Sequence, residues 1–175
     1  MTIVITALLS LVIVAADQVF KYLIEANMSV GQRIPVIEGL FYLDYTQNRG
    51  AAFGMFQNAT LIFAAITVVL IGVFFYLLIK KKFTGKLFTA SVILVAGGGI
   101  GNLIDRIIRQ YVVDYLSLSF FPPVCNFADY CITIGAVLFI ISIFFISENR
   151  NKLETKKPVE NSAQAEQFSE DSEDE

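Results

Sequence analysis

Four uncharged apolar runs constrain this chain more than any other feature. The first is Thr2 to Ala16, which extends to Ile24 if Asp17 and Lys21 are tolerated. Ala59 to Ile79 follows with 21 residues, then Leu87 to Ile104 and Tyr130 to Ser147 with 18 each. At about 1.5 Å of helical rise per residue, such runs reach roughly 27–32 Å, close to the roughly 30 Å hydrocarbon layer of a bilayer. Lipid offers the backbone no hydrogen-bond partner, so a spanning segment here must be helical. The run at the N-terminus lacks the basic start of a secretory leader, and it passes directly into Asp17 and Lys21. It therefore reads as a retained span. The expected fold is a mostly α, polytopic membrane bundle of four transmembrane helices, with spans at about 3–24, 59–79, 87–108 and 129–147.

Charge sets the expected orientation. The segment Lys80-Lys81-Lys82-Phe83-Thr84-Gly85-Lys86 carries four lysines and no acid, and Arg150, Lys152, Lys156 and Lys157 follow the fourth run. Basic flanks stay on the cytoplasmic side, which puts both termini inside and residues 25–58 and 107–128 outside. Residues 148–175 hold 9 of the 16 acidic and 4 of the 13 basic residues. The acidity of the whole chain belongs to that tail, and residues 151–175 read as a disordered acidic cytoplasmic extension to a 1–150 membrane domain. Outside, residues 34–46 are β-branched and aromatic between Pro and Gly, and read as short strands. Residues 117–124 read as a loop dipping into the interface.

Two absences exclude much chemistry. There is no His, so no Ser-His-Asp triad, Cys-His pair or imidazole-bound metal is available. Cys125 and Cys131 are too few for a zinc site, and their spacing fits no redox motif. What remains is carboxylate chemistry. Asp17 and Lys21 are one turn apart and read as an ion pair anchoring the first helix at the interface. Asn102, Asp105 and Arg106 share a face at i, i+3 and i+4, behind glycines that admit a neighbouring helix. An Asp105–Arg106 pair locking the bundle is the plain structural reading there. Asp114 follows the third span, and Asp129, which doubles as a candidate helix N-cap, opens the fourth. Their short connection lets the two carboxylates meet at one membrane depth. In a poorly hydrated site such a pair shares a proton, one member serving as base and the other as acid. We assign the base to Asp129 and the proton to Asp114, with the pair titrating as a unit.

Five motifs in order, Asp17-Gln-x-x-Lys21, Asn48-Arg-Gly50-Ala-Ala-Phe-Gly54, Gly101-Asn102-x-x-Asp105-Arg106, Val113-Asp114-Tyr115 and Asn126-x-Ala128-Asp129, resemble those of the lipoprotein (type II) signal peptidases. Tyr115 stands where Phe is common and Phe53 where Trp or Phe occurs. The resemblance implies an aspartic endopeptidase of the bacterial cytoplasmic membrane that cuts a signal peptide before a diacylglyceryl-modified Cys. It also implies Asp114 and Asp129 as the catalytic pair, and Asn48, Gly50, Asn102, Arg106 and Asn126 lining or supporting the site. Asp17, Lys21 and Asp105 match polar residues nearby, and a small extracytoplasmic β-cradle completes the fold. The expected partners are lipid-modified prolipoproteins and membrane lipids, with no nucleic acid, no metal, no cofactor and a monomeric chain. Rival classes fare worse. A Ser-Lys protease has no serine in a recognisable setting, a Gly-x-Gly-Asp intramembrane protease motif is absent, and an ion carrier calls for acids nearer mid-span.

Overall fold

A computed structural model describes residues 2–50, 60–80 and 85–145. The second half of the Asn48–Gly54 motif, most of the basic 80–86 segment and the acidic tail lie outside the described residues. The elements run α1 (Thr2–Asn27), β1 (Arg33–Ile37), β2 (Phe41–Asn48), α2 (Thr60–Ile79), α3 (Lys86–Ile108), β3 (Val112–Leu118), β4 (Phe121–Cys125) and α4 (Phe127–Phe145). Among the described residues α1, α3 and α4 are long and apolar enough to cross a membrane, and Ala64–Ile79 of α2 is a shorter apolar helix. The chain is thus a multi-pass membrane protein whose helices carry a small antiparallel sheet.

Helix α1 is turned inside out relative to a helix of a water-soluble bundle. The buried residues of α1 are Thr6, Ser10, Val14, Asp17, Lys21 and Ile24, a stripe at helical spacing that is two-thirds polar. Its exposed residues include Val4, Leu8, Leu11, Val12 and Val19. Lipid solvates the apolar face, so the polar stripe turns inward and finds partners. That stripe lies along α3 in parallel: Ser10 donates to the Ile93 carbonyl, and Gln18 to that of Gly101.

Helix α3 is central because its glycines let three neighbours approach. A Cβ at Gly97 would sit 2.7 Å from Ile13 of α1, one at Gly98 2.5 Å from the Ala128 carbonyl of α4, and one at Gly99 3.1 Å from Ile71 of α2. A Cβ at Gly101 would lie 2.5 Å from Asp17 Oδ2. The glycine run is therefore a packing device. At the other end of α3, Phe88, Val92 and Val95 bury against Phe74 and Leu78 of α2, and the Phe139 ring of α4 packs at a tilt against both Phe74 and Phe88.

The sheet has the order β1-β2-β3-β4, all antiparallel. Residues 117–124, expected to dip into the interface as a loop, instead form the β3–β4 hairpin, with Leu118 paired to Phe121. Pro122 and Pro123 are accommodated because β4 is an edge strand. Gln110, at φ 64, turns the chain from α3 into β3. Alternation along β3 then sends Val113 and Tyr115 into a cluster with Ile24, Met28 and Tyr45, and Asp114 to the opposite face. The β2–β3 register shifts between Leu43 and Thr46, across from Asp114. Such irregularities re-aim side chains beside functional sites.

Gly98→Ala should force α4 away from α3 and cost about 1–3 kcal/mol, read as a lower unfolding temperature in detergent. Gly72 on α2 has nothing within 4 Å of a Cβ. Gly72→Ala is the matched control and should be neutral or stabilising by up to about 1 kcal/mol.

Candidate active site

All the polar groups singled out in the sequence converge at one end of the bundle, where the C-terminal turns of α1 and α3, the N-terminus of α4 and the sheet meet. The centre is Lys21, whose side chain is wholly buried. Its ammonium has three donors, and each has a partner at 2.8 Å: Asp17 Oδ2, Asp105 Oδ2 and Asn102 Oδ1. The Asp17–Lys21 pair forms as the i,i+4 spacing requires, with both side chains buried inside the bundle. Asp105 pairs with Lys21 and with Arg109 at 2.8 Å, not with Arg106 as expected. The i,i+4 spacing reaches Arg109 along the α3 face that meets α1, whereas the adjacent residue points elsewhere. Arg106 instead donates to the Asn102 carbonyl at 3.3 Å, within the fields of Asp129, Asp114 and Asp105.

Asp105 fills its acceptor sites. Oδ1 receives Arg109 Nη1 and Gln18 Nε2, while Oδ2 receives Lys21 Nζ and the Val113 backbone N–H. The last of these ties the strand carrying Asp114 to α3. Asp17 uses Oδ1 to accept the Ala128 N–H at 3.2 Å, one of the donors left open at the start of α4. Sequence reasoning missed Arg109, Glu25 and Tyr111. Arg109 Nε meets Glu25 Oε2 at 3.0 Å, and Tyr111 donates to Glu25 Oε1 at 3.1 Å. The hint was geometric, since Glu25 is one turn beyond Lys21 and Arg109 one turn beyond Asp105.

Asn126 joins the two remaining carboxylates. Its Nδ2 donates to Asp114 Oδ1 at 2.6 Å, and its backbone N–H to Asp129 Oδ2 at 3.1 Å. Its Oδ1 accepts the Asp129 N–H at 3.0 Å. Asn126 is thus the N-cap of α4, and Asp129 is the third helical residue of a reciprocal capping box, not the cap itself. Asn102 donates to Asp129 Oδ1 at 2.8 Å, and Asn48 to Asp114 Oδ2 at 2.8 Å. Gly50 supports Asn48 by donating its N–H to the Asn48 Oδ1 at 3.0 Å. Asp114 is 2% exposed. Burial, and then the charge of Asp129, push its carboxyl up to about 7, against the hydrogen bonds from Asn48 and Asn126 and the charge of Lys21. Cys125, next in the chain to Asn126, is a free thiol that burial pushes up to about 11, so it remains protonated near neutrality. The arrangement offers two differently dressed carboxylates, one of them titrating near neutral pH, with a helix N-terminus beside them.

Lys21→Met keeps much of the stem and removes the ammonium. It leaves Asp17 and Asp105 buried without their shared cation and should cost about 3–5 kcal/mol, read from unfolding in detergent. Arg33 is half-exposed, 4.0 Å from Asp44. Arg33→Met should cost less than about 1 kcal/mol.

The sequence model of the family described as signal peptidase (SPase) II matches residues 9–145. A lipoprotein signal peptidase of Shouchella clausii (strain KSM-K16) is 38% identical over 145 residues, covering 83% of this chain and 96% of that protein. One from Caldanaerobacter subterraneus subsp. tengcongensis is 45% identical over 126 residues, covering 72% and 86%. A solved bacterial membrane enzyme superposes with a TM-score of 0.76 at 31% identity, covering 82% of this chain and 90% of that one.

Proposed function

The chain belongs to the signal peptidase II family, and from that premise we propose that it is a membrane aspartic endopeptidase acting through Asp114 and Asp129. Its substrates are prolipoproteins bearing a diacylglyceryl-modified Cys, cut immediately before that Cys. The observation that carries the reading is Asn126, one residue hydrogen-bonded at once to both carboxylates, at 2.6 and 3.1 Å.

Asp129, as carboxylate, takes a proton from water, and the resulting hydroxide adds to the scissile carbonyl carbon. Asp114 gives its proton to the carbonyl oxygen as that addition proceeds. The C–N bond of the tetrahedral intermediate then breaks, and the proton held by Asp129 passes to the leaving Cys amine. A proton from one hydroxyl of that gem-diol returns to Asp114 as the new carboxyl group forms, so both acids regain their starting states. Asn102 spends one N–H on Asp129, and its oxygen accepts from both Lys21 and Asn126. Arg106, whose charge acts on both Asp129 and Asp114, is the candidate to polarise the scissile carbonyl. Asn48 and Asn126 orient Asp114, and burial outweighs the pull of their hydrogen bonds toward the ionised form. Asp17, Lys21 and Asp105 hold the framework.

Four spans with both termini in the bacterial cytoplasm would put this pair near the outer face, where the lipid of the substrate and its apolar signal helix end. The small sheet would then cradle the segment carrying the scissile bond, with no soluble domain required. The chain is read as a monomer among membrane lipids.

Asp114→Asn and Asp129→Asn should each lower cleavage of a lipid-modified precursor by at least about 10³-fold, with membrane insertion preserved. Full cleavage by either variant removes the assignment. The pH profile adds a sign. A carboxyl pushed up to about 7 is protonated below that value and ionised above it. Activity that needs one shared proton should therefore fall as pH rises past about 7, and fall again in acid once the second carboxyl is protonated.

A further inference from the structure

Arg109 stands one residue past α3, outside the motifs that the acid-pair mechanism uses, yet it binds three side chains. Nε meets Glu25 Oε2 at 3.0 Å, while Nη1 reaches Gln18 Oε1 at 3.0 Å and Asp105 Oδ1 at 2.8 Å. Glu25 is itself held by Tyr111. Glu25 and Gln18 from α1, and Asp105 from its own helix, are the charged and polar groups that face it, with Lys21 on the far side of Asp105.

One torsion fixes where both oxygens of a carboxylate lie. Arg109 and Gln18 hold Asp105 Oδ1, so they also set Oδ2, which carries two separate arms. One arm is Lys21 Nζ to Asn102 Oδ1, then Asn102 Nδ2 to Asp129 Oδ1. The other is the N–H of Val113, the residue before Asp114. From Asp105, Asp129 is thus three contacts away, and Asp114 is one contact and one peptide bond away. We propose that Arg109, anchored on Glu25, is a positioning residue for the Asp114–Asp129 pair: by locking one rotamer of Asp105 it fixes both arms together. This role rests on the peptidase reading of the pair and assigns Arg109 no contact with substrate.

If Arg109 only fastened α1 to α3 at the rim, its loss would lower stability and leave each folded molecule working as before. If it positions the pair, loss frees Asp105 to rotate. Lys21 then follows Asp105 away from Asn102, and the Lys21 charge weighs less on Asp114.

The experiment uses the full chain in detergent, as wild type, Arg109→Ala, Arg109→Lys and Glu25→Gln. Two readouts are taken across pH: cleavage of a lipid-modified precursor peptide, and the infrared band of the protonated Asp114 carboxyl, assigned by its loss in Asp114→Asn. Arg109→Ala should lower kcat about tenfold with KM changed less than about twofold. The alkaline limb and the band midpoint should move upward together by about half a pH unit. Arg109→Lys, which restores the cation, should bring the midpoint back toward wild type. Glu25→Gln, which loosens Arg109 without removing it, should shift in the same direction by less, and it carries the comparison alone if Arg109→Ala does not fold. A folded Arg109→Ala or Glu25→Gln with unchanged midpoint and unchanged kcat overturns the proposal. So does a lower unfolding temperature with kcat per folded molecule intact. A wild type that leaves the precursor uncut defeats the peptidase reading instead, while the band midpoints still decide whether Arg109 positions the pair.

Discussion

A single ammonium group determines how the polar end of this bundle is assembled. Lys21 is buried with three acceptors for its three protons, one from its own helix and two from α3. A charge taken out of water costs several kcal/mol unless its partners are complete, so the cation fixes the relative height of α1 and α3. A slide of one residue, about 1.5 Å, would leave at least one carboxylate without its proton donor. Because Asp105 and Asn102 are the groups so fixed, the height of Asp129 and of the β3 strand follows from it. Precision at the acid pair is inherited from a contact that does not touch it.

The glycines of α3 make that contact possible. A side chain at Gly101 would occupy the space of Asp17 Oδ2, and one at Gly98 that of the Ala128 carbonyl. Small residues elsewhere in membrane helices let backbones meet. Here they also bring ionised side chains from two elements within hydrogen-bond range in a medium that would not tolerate them apart. Packing and electrostatics are one constraint at this end of the molecule, whereas at the other end Phe74, Phe88 and Phe139 fill the space by bulk alone.

What could be read from the sequence divides along physical lines. Helices were legible because lipid permits nothing else for long apolar runs, and α1 and α3 run a few residues beyond and at the expected bounds. The Asp17–Lys21 pair was legible because i,i+4 neighbours meet within one helix. Pairing between elements was not. The choice of Arg109 over Arg106 by Asp105 depends on which face of α3 meets α1. The β3–β4 hairpin was hidden by Pro122 and Pro123, which argue against a central strand and are harmless at an edge. Asn126 gave no signal of its own as a bridge, because its two roles need Asp114 and Asp129 already in place.

For Asp129 the sequence left open a choice between a helix-capping acid and a working one. The capping role uses Oδ2, which accepts the Asn126 N–H, and leaves Oδ1 to Asn102. The first-turn donors of α4 are shared out further, Ala128 to Asp17 and Asp129 to Asn126. A carboxylate so fastened cannot rotate to meet a water in more than one way. In a peptidase with no imidazole available, that is the property required of a base, since a freely turning acid would spend most of its time aimed elsewhere. The capping box is therefore not an alternative to the catalytic role proposed for Asp129. It holds Oδ2 while Asn102 holds Oδ1, so the orientation of the carboxylate is set before any water arrives.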